Sequence, residues 1–379
     1  MNVVVVSHAL LVPANRDRWR VLAQTHNVHV CLIVPKNWVS RWLGVKQVMQ
    51  GESEIGEMFE VCPLQVLNPG NMMRYTYISL DMELKRIKPD IIQIHQEPTS
   101  FACIQTLLYR RLWAPGAKTL IFTWNNISTR ARNPIIRLLK KFTLAKTDAF
   151  IAGNSEAKSI LLDEGFKKPI FVQTEIGVNE KIWQPIQTDD KEALSKRFTI
   201  GFVGRLEPSK GVWDLIQSVK RLDEDWELLL VGNGPLAEEI TRWIQSEECK
   251  NRVRILSGLE RKDLPPVYQS MDVLVLPSRT TPTWKEQFGL VLAEAMLSGV
   301  PVIGSDSGAI GEVIGDAGLI FPEGNVEALV RCLSEVMRKK ELRDEMASRG
   351  YSRALRLYST QALAENTYAI YNELLMNHE

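Results

Sequence analysis

Two segments in the second half of the chain combine residue types that can bind an anion. In the first, GFVGRLEPSKG, a hydrophobic run ends in a glycine turn that is followed by two cations, Arg205 and Lys210. Ligands of open α/β sheets bind beyond the carboxyl ends of the strands, so both cations would lie where an anion is held. The segment matches neither GxxxxGK[ST] nor GxGxxG. A glycine turn with two solvated cations is the alternative interpretation.

The second segment, EQFGLVLAEAM, contains two glutamates, Glu286 and Glu294, with seven residues between them. It predicts a helix that begins near Gly289, whose first backbone amides would face an anion. Glu294 lies one turn further along, and it would bind a hydroxyl rather than a phosphate because two anions repel each other. An amphipathic helix with one capping and one solvated glutamate is the simpler alternative.

Short runs rich in Val, Ile and Leu alternate with amphipathic, helix-length segments in both halves, which is typical of parallel strands joined by crossover helices. The predicted strands of the first half are Val3–Val6, Val28–Val34, Ile91–Ile94, Thr119–Phe122 and Ala149–Ala152. Those of the second half are Thr199–Val203, Glu227–Val231, Val253–Leu256, Val273–Leu276, Val300–Gly304 and Leu319–Phe321.

These runs predict an α/β protein with two Rossmann-like, doubly wound domains facing a cleft. We place the first domain at residues 1–185 and the second at residues 186–355. A hinge lies between Asn179 and Phe198, and a helix over residues 356–379 packs back on the first domain.

Composition limits the class of protein. The chain has 379 residues, of which 45% are hydrophobic and 24% charged, as in ordinary globular proteins. Its five cysteines show no CxxC pair and no histidine at metal spacing, which argues against a disulfide framework and a zinc site. They are Cys31, Cys62, Cys103, Cys249 and Cys332. We find neither a signal peptide nor an apolar run of about 18 residues, so a cytoplasmic location is expected.

Charge is distributed unevenly between the two halves. Residues 1–190 carry 23 Lys and Arg against 17 Asp and Glu, although the whole chain has a net charge of only +1. The segment NPIIRLLKKFTLAK predicts a basic amphipathic helix, which could contact an anionic membrane surface through Arg137, Lys140 and Lys141. An ordinary crossover helix with a solvated polar side is the alternative. Nucleic acid is not an expected partner, because no aromatic residues are interleaved with the charges.

Taken in order along the chain, these segments resemble family 4 glycosyltransferases, which have the GT-B fold. The resemblance rests on GRLEPSKG, EQFGLVLAE, SGVPVI and SGAIGEVI, together with IIQIHQEP, GNSEAKSILLDEGF, IGVNEKIWQP, VGNGPL and LSGLERKDLPPVY. It implies a retaining hexosyltransferase that moves a sugar from a nucleotide-sugar donor to a glycan or lipid-linked acceptor, in cell-surface polysaccharide or glycolipid biosynthesis. The family uses the nucleotide sugar as co-substrate, and nothing in the sequence requires a metal or another cofactor.

The resemblance also implies a role for individual residues. Arg205 and Lys210 would hold the donor diphosphate, Glu294 the ribose hydroxyls and Glu286 the donor sugar. His95 would contact the transferring sugar from the first domain. The other implied donor-binding residues are Gly204, Gly232, Leu259, Phe288, Gly289, Leu290 and Val291.

The chain departs from the family pattern at two places. The family often has a Gly-Gly loop after its first strand, whereas SHALLVPANRDRW stands here, so contact of Leu10–Ala14 with the donor is left open. Asn179 stands where the family usually has aspartate. On the acceptor side we single out three residues, Pro13, Glu97 and Asn126.

Two other functions are compatible with parts of the pattern. A nucleotide-sugar epimerase or an inverting transferase could have the same fold, but the pair Glu286 and Glu294 argues against both. A catalytically idle scaffold that binds a nucleotide or a membrane is the alternative outside enzymes. The presence of Arg205 and Lys210 together with both glutamates argues against that scaffold.

Overall fold

A computed structural model describes residues 1–42, 45–128, 133–186, 197–246 and 251–376. The chain divides into two compact units: unit 1 contains residues 1–177 and 360–379, and unit 2 contains Val178–Ser359. The boundaries differ from the sequence-based ones because two short segments pair with each other. The amide of Val178 donates to the carbonyl of Tyr358, and Val178 forms a parallel bridge with Ser359. The charged part of the predicted hinge, residues 189–192, lies outside the described residues.

Unit 1 contains the β-strands of the first part of the chain. They are β1 (Asn2–Ser7), β2 (His29–Pro35), β3 (Asn37–Trp42), β4 (Val45–Gln50), β5 (Glu54–Ile55), β6 (Phe59–Leu64), β7 (Val66–Leu67), β8 (Thr76–Tyr77), β9 (Ile91–His95), β10 (Lys118–Thr123), β11 (Ala149–Ala152) and β12 (Ile170–Val172). The helices between them are α1 (Asp17–His26), α2 (Leu80–Ile87), α3 (Phe101–Trp113), α4 (Pro134–Lys146) and α5 (Ser155–Asp163).

The main sheet of unit 1 has eight strands in the order β12-β11-β10-β9-β1-β2-β6-β5. All neighbours are parallel except β5 and β6. Strand β1 is hydrophobic and buried at consecutive positions, as expected for a strand covered on both faces. The order reverses beside β1, since the chain runs outward through β2 and later returns to β9 on the other side. Side chains at the carboxyl ends of β1 and β9 therefore share a topological switch point.

The region between β2 and α2 was not predicted from the sequence. It contains the antiparallel pairs β3–β4 and β7–β8 and the short edge strand β5. These strands are short or alternate with polar residues, so their hydrophobic signal is weaker than that of the buried parallel strands.

Unit 2 is built on a second sheet, whose strands are all parallel. Its strands are β13 (Phe198–Val203), β14 (Trp226–Val231), β15 (Val253–Leu256), β16 (Val273–Leu276), β17 (Val302–Ser305) and β18 (Leu319–Phe321). Its helices are α6 (Val212–Val219), α7 (Ala237–Ser246), α8 (Pro265–Gln269), α9 (Leu290–Leu297), α10 (Ile310–Ile314), α11 (Val326–Arg338) and α12 (Lys340–Leu357). The order β15-β14-β13-β16-β17-β18 places the switch point between β13 and β16.

The final helix, α13 (Thr360–Met376), belongs to unit 1 and packs on α1. The His26 ring stacks on Tyr368 with centroids 4.0 Å apart, and Gln173 Nε2 donates to Thr367 Oγ1 over 2.9 Å. Leu363 and Tyr371 of this helix are buried. Unit 1 thus combines segments from both ends of the chain.

Both doubly wound α/β sheets that the hydrophobic runs predicted are present. Within the described residues, no helix combines the length and the apolar character needed to cross a bilayer.

Candidate functional site

The loops that follow β13 and β16 meet at the switch point of unit 2. Gly204 and Arg205 follow β13, and Ser278 follows β16 after one proline. Lys210 ends a 3₁₀ turn, Pro208–Lys210, which leads into α6. The structure therefore brings the cations of GFVGRLEPSKG to the carboxyl edge of the sheet, where bound ligands are expected.

Lys210 and Glu286 form the centre of this edge. Lys210 Nζ lies 2.7 Å from Glu286 Oε2, and the same oxygen accepts a hydrogen bond from Ser278 Oγ over 2.9 Å. The ammonium group also lies 4.4 Å from the ring centre of Trp284, within the range of a cation–π interaction. Glu286 is buried, whereas 17% of the Lys210 side chain remains accessible. The pair is thus a buried carboxylate covered by a cation that solvent can still reach.

Two glycines allow the backbone to approach this pair closely. Gly211 has φ +64°, and a Cβ atom there would lie 1.8 Å from the carbonyl oxygen of Pro277. Gly308 has φ +55°, and a Cβ atom there would lie 2.1 Å from the carbonyl oxygen of Glu286. The same oxygen accepts a hydrogen bond from the amide of Ala309 over 3.0 Å. A side chain at either glycine would displace the loop that carries Lys210 or Glu286.

Arg205 is the more exposed of the two predicted cations. Its side chain is 44% accessible, and Nη2 lies 3.2 Å from Glu207 Oε2. Because the guanidinium is this exposed, its contact with Glu207 contributes little to stability, so the guanidinium can exchange that contact for an anionic ligand. Gly204 precedes Arg205 in the chain, and a Cβ atom at Gly232, which follows β14, would lie 1.9 Å from the carbonyl oxygen of Gly204.

Glu294 lies in α9 and is almost completely buried. Its Oε1 accepts a hydrogen bond from Arg261 Nε over 2.9 Å, and its Oε2 accepts one from Tyr268 Oη over 2.8 Å. Burial raises the pKa of the Glu294 carboxyl group, and Arg261 and Tyr268 oppose that effect by stabilising the charged form. Each carboxylate oxygen can accept a second hydrogen bond, so the group keeps the capacity to bind a hydroxyl.

Most of the remaining residues predicted to bind the donor lie at or just before the start of α9. Gly289, with φ +79°, is its N-cap, and Leu290 and Val291 form its first turn. Phe288 packs edge-on against Tyr358 with ring centres 5.2 Å apart. Leu259, which follows β15, is 40% exposed.

Sequence reasoning missed three side chains of this site. Arg261 and Tyr268 lie in LSGLERKDLPPVY, which carried the family resemblance, but no role was assigned to them or to Ser278. The position of Ser278 just after a predicted strand was a usable signal. Arg261 and Tyr268 gave none, because only folding brings them to Glu294.

His95 occupies a different environment, at the end of β9 in unit 1. Its side chain is inaccessible to solvent, and both ring nitrogens are within hydrogen-bond distance of a partner. Nδ1 lies 2.8 Å from Glu175 Oε1, and Nε2 lies 2.7 Å from Gln93 Nε2. Since Gln93 Nε2 can only donate, Nε2 accepts and Nδ1 carries the proton. Burial lowers the pKa of His95, although Glu175 opposes that effect, so the neutral ring is favoured.

The partners of His95 are themselves fixed by further hydrogen bonds. Trp124 Nε1 donates to Glu175 Oε2 over 2.9 Å, and Tyr371 of α13 donates to Gln93 Oε1. Burial raises the pKa of Glu175, but the hydrogen bonds from His95 and Trp124 outweigh it and hold the pKa below its ordinary value. The sequence analysis singled out His95, whose contact with a sugar stays a prediction, and did not predict this network.

The acceptor-side residues lie in separate places within unit 1. Pro13 is exposed in a 3₁₀ turn, Pro13–Asn15, and the buried Arg16 holds the preceding loop by donating to the carbonyl of Leu10 over 2.8 Å. Asn126 is buried, and its Nδ2 lies 3.4 Å from Glu156 Oε2. Pro13, Glu97 and Asn126 follow three different strands, β1, β9 and β10.

Glu97 lines a cavity of about 230 Å³ near the carboxyl ends of β9 and β10. Thr123 Oγ1 donates to Glu97 Oε2 over 3.3 Å, and burial raises the pKa of the Glu97 carboxyl group. Asn125 and Ile136 also line the cavity. Polar groups beside apolar walls, as here, are what a sugar or another small hydroxylated ligand requires.

The basic helix predicted from NPIIRLLKKFTLAK is α4. Arg137 and Lys141 are exposed, as are the apolar side chains of Ile135 and Leu138. Lys140 differs from its neighbours, because it forms an ion pair with Glu164, which follows α5, and lines the same cavity as Glu97.

Comparisons with known proteins agree with this architecture. Residues 185–353 match the model of the family described as "Glycosyl transferases group 1". Among curated proteins, the chain is similar to an MMP alpha-(1->4)-mannosyltransferase of Mycolicibacterium hassiacum, with 28% identity over 66% of this chain and 60% of that protein. The matched part of the chain spans 44% to 64% of the length of the first three curated relatives.

Solved structures resemble the whole chain. Sucrose-phosphate synthase from Thermosynechococcus elongatus superposes with a TM-score of 0.75 at 18% identity, covering 100% of both chains. Anabaena Alr3699/HepE in complex with UDP superposes with a TM-score of 0.71 at 16% identity, covering 98% of this chain and 100% of that one. The chain has the fold of these proteins, GT-B.

Proposed function

We propose that this protein is a retaining glycosyltransferase. It moves a hexose or a similar sugar from a nucleotide-sugar donor to a hydroxyl of a glycan or lipid-linked acceptor. The observation that supports this most is the pair of Lys210 and the buried Glu286 at the switch point of unit 2. This pair presents a cation and a hydrogen-bond acceptor together, as a diphosphate attached to a sugar requires.

The donor diphosphate binds the two cations of unit 2. Lys210 carries three N–H donors, so it can contact Glu286 and a phosphate oxygen at the same time. Arg205 exchanges its contact with Glu207 for the second phosphate. HepE, which has the same fold, was solved with UDP, which supports a nucleotide as the ligand.

The sugar and the ribose bind two different carboxylates. Glu286 accepts hydrogen bonds from hydroxyls of the transferring sugar, next to the first amides of α9. Glu294 accepts one from a ribose hydroxyl, and Arg261 and Tyr268 keep its carboxylate in place. Glu286 and Glu294 are both buried, so the groups packed around them restrict their side-chain positions.

Transfer breaks the bond between the anomeric carbon and the phosphate oxygen, and the acceptor oxygen bonds to that carbon from the same face. The departing phosphate takes the proton of the acceptor hydroxyl. Arg205 and Lys210 stabilise the negative charge that develops on the phosphate. Because Glu286 Oε2 is engaged by Lys210 and Ser278, this carboxylate serves as a hydrogen-bond acceptor rather than as a nucleophile.

Unit 1 binds the acceptor in this proposal. The cavity beside Glu97 supplies carboxyl, amide and hydroxyl groups together with an apolar wall. Exposed Arg137 and Lys141 lie on α4 with exposed Ile135 and Leu138, which suits contact with the anionic inner face of a cytoplasmic membrane. A lipid-linked acceptor would then be taken from that surface.

A screen of the full chain against UDP, GDP, ADP and dTDP sugars by thermal shift tests the donor. One nucleotide class should raise the melting temperature, and Arg205→Ala should abolish the shift. NMR of the product then determines the anomeric configuration of the transferred sugar. We expect the configuration of the donor to be retained. Inversion would indicate an inverting transferase, and nucleotide binding without turnover over a broad acceptor panel would indicate an idle scaffold.

A further inference from the structure

Two neighbouring strands of unit 1 place metal-ligating side chains on one face of the sheet. Strand β2 contains His29-Val30-Cys31, and β6 contains Glu60-Val61-Cys62. Alternate residues of a strand point to the same face, so each strand contributes two of these side chains to a shared surface. The strands are parallel neighbours, and Cys31 is paired with Glu60 in the register.

The donor atoms lie close together. Cys31 Sγ is 3.5 Å from Cys62 Sγ, and Cys62 Sγ is 3.8 Å from Glu60 Oε2. His29 Nε2 lies 3.9 Å from Glu60 Oε1. In tetrahedral zinc sites, bonds of about 2.0–2.3 Å separate neighbouring ligand atoms by roughly 3.3–3.8 Å. The spacing of the two sulfurs and the Glu60 carboxylate therefore needs little adjustment to enclose one ion, whereas His29 lies beside Glu60 and would have to turn toward that ion.

We propose that Cys31, Cys62 and Glu60 bind a thiolate-preferring divalent cation of the zinc class, with His29 as the fourth ligand. The donor atoms of Cys31, Cys62 and Glu60 lie within 4.8 Å of one another. Two sulfur ligands favour zinc over magnesium or calcium, which prefer sets of oxygen ligands. On binding, each thiol releases its proton to solvent and forms a sulfur–metal bond.

The site has an entrance that α2 covers only in part. Cys31 is buried, but Glu60 and His29 retain accessible surface. Arg86 of α2 donates to Glu60 Oε1 over 2.8 Å and lies 3.5 Å from Cys62 Sγ. The Arg86 side chain is 50% exposed, and its Nε also donates to Glu83 over 2.7 Å. Arg86 can therefore leave Glu60 and still keep its contact with Glu83. Arg86 therefore competes with the cation for Glu60.

A cation at this position would fasten β6 to β2 near the edge of the sheet. The spacing along the chain gives no sign of such a site, because 28 residues lie between Cys31 and Glu60. The H-x-C pair of β2 and the E-x-C pair of β6 come together only because the two strands are neighbours in the sheet. The inference does not depend on the glycosyltransferase reaction, since this surface is in unit 1 and shares no residue with the proposed donor site.

Cobalt spectroscopy of the full chain tests the site directly. The reduced, EDTA-treated protein is titrated with Co²⁺, whose thiolate complexes absorb in the near ultraviolet, and Zn²⁺ is then added to displace it. We expect one equivalent of Co²⁺ and a thiolate charge-transfer band. Cys62→Ser should remove the band, Glu60→Gln should weaken binding at least tenfold, and His29→Ala should weaken it less.

Matched variants separate a metal site from general thiol chemistry. Cys332→Ser removes a half-buried thiol of unit 2 and should leave the titration unchanged. Arg86→Ala should tighten binding. Circular dichroism of each variant in EDTA checks its folding. A wild-type titration without a charge-transfer band overturns the proposal. So does an equal band in correctly folded Cys62→Ser. A protein that binds no metal but loses the mass of two hydrogen atoms when a mild oxidant is added would also overturn it, because that loss indicates a disulfide pair.

Discussion

The carboxyl ends of the two parallel sheets hold polar residues in opposite ways. In unit 1, His95 is inaccessible, and Glu175 and Gln93 occupy both of its ring nitrogens. In unit 2, Lys210 and Arg205 contact carboxylates but keep accessible surface. The same type of sheet edge therefore supports a closed hydrogen-bond network in one unit and reachable cations in the other.

This difference follows from charge. A neutral histidine can be buried if each nitrogen finds a partner, which the network around Glu175 provides. A cation is costly to bury, so Lys210 and Arg205 remain partly solvated and can exchange water for a phosphate. We infer that the donor diphosphate is bound by unit 2, where the cations remain accessible.

Arg205→Ala should give the largest effect. Loss of one preorganised positive group is expected to reduce turnover by about 10²–10³-fold, and Lys210→Ala should do the same. The result for Arg205→Ala is easier to interpret, because Lys210→Ala also leaves the buried Glu286 without its cation. Steady-state rates are compared with Lys262→Ala, a cation of unit 2 with a 74% exposed side chain. Normal turnover in both variants would refute the diphosphate assignment.

Glu294→Gln should weaken nucleotide binding by roughly 1.5–3 kcal/mol, the value of a hydrogen bond to a charged group. Calorimetry with the nucleotide found in the screen measures it, and Tyr268→Phe, which removes only one supporting hydrogen bond, should have a smaller effect. Unchanged affinity in folded Glu294→Gln would contradict the ribose role and leave the phosphate role of Arg205 intact.

Variants of the exposed cations of α4 test whether unit 1 binds its ligand at a membrane surface. Replacing Arg137 and Lys141 by Ala should reduce binding to vesicles containing anionic lipid by about 2 kcal/mol, or roughly 30-fold, at about 1 kcal/mol for each cation. Lys140→Ala should change binding less, because its ion pair with Glu164 already neutralises it. Sedimentation with vesicles measures both. Equal sedimentation of wild type and double variant would exclude this surface.

His95→Gln should alter the pH dependence of stability. Burial lowers the pKa of His95 below 6.5, so the folded state holds the neutral ring while the unfolded chain takes up a proton. Its contribution to stability is therefore complete above pH 6.5 and is lost as the pH falls below that value. Urea unfolding between pH 7 and 5 should show a shallower loss in the variant. Tyr371→Phe, which keeps the ring, should retain the wild-type slope.

Much of the fold was predictable because buried parallel strands leave continuous hydrophobic runs. The runs at Val3, Ile91 and Leu228 all became strands of the two sheets. The antiparallel strands after β2 were missed, since β5 and β7 have only two residues each. The unit boundaries shifted because Val178 pairs with Tyr358 and Ser359, a contact between distant parts of the chain.

The sequence by itself determined the two doubly wound units and placed Arg205, Lys210, Glu286 and Glu294 in two short segments. Local spacing carries that information, since a strand, a turn and a helix start are each written in consecutive residues. Only the tertiary structure decided that Lys210 contacts Glu286, that His95 is enclosed, and that Cys31 meets Cys62. Those contacts join residues far apart in the chain, and their geometry depends on strand order and register rather than on any local pattern.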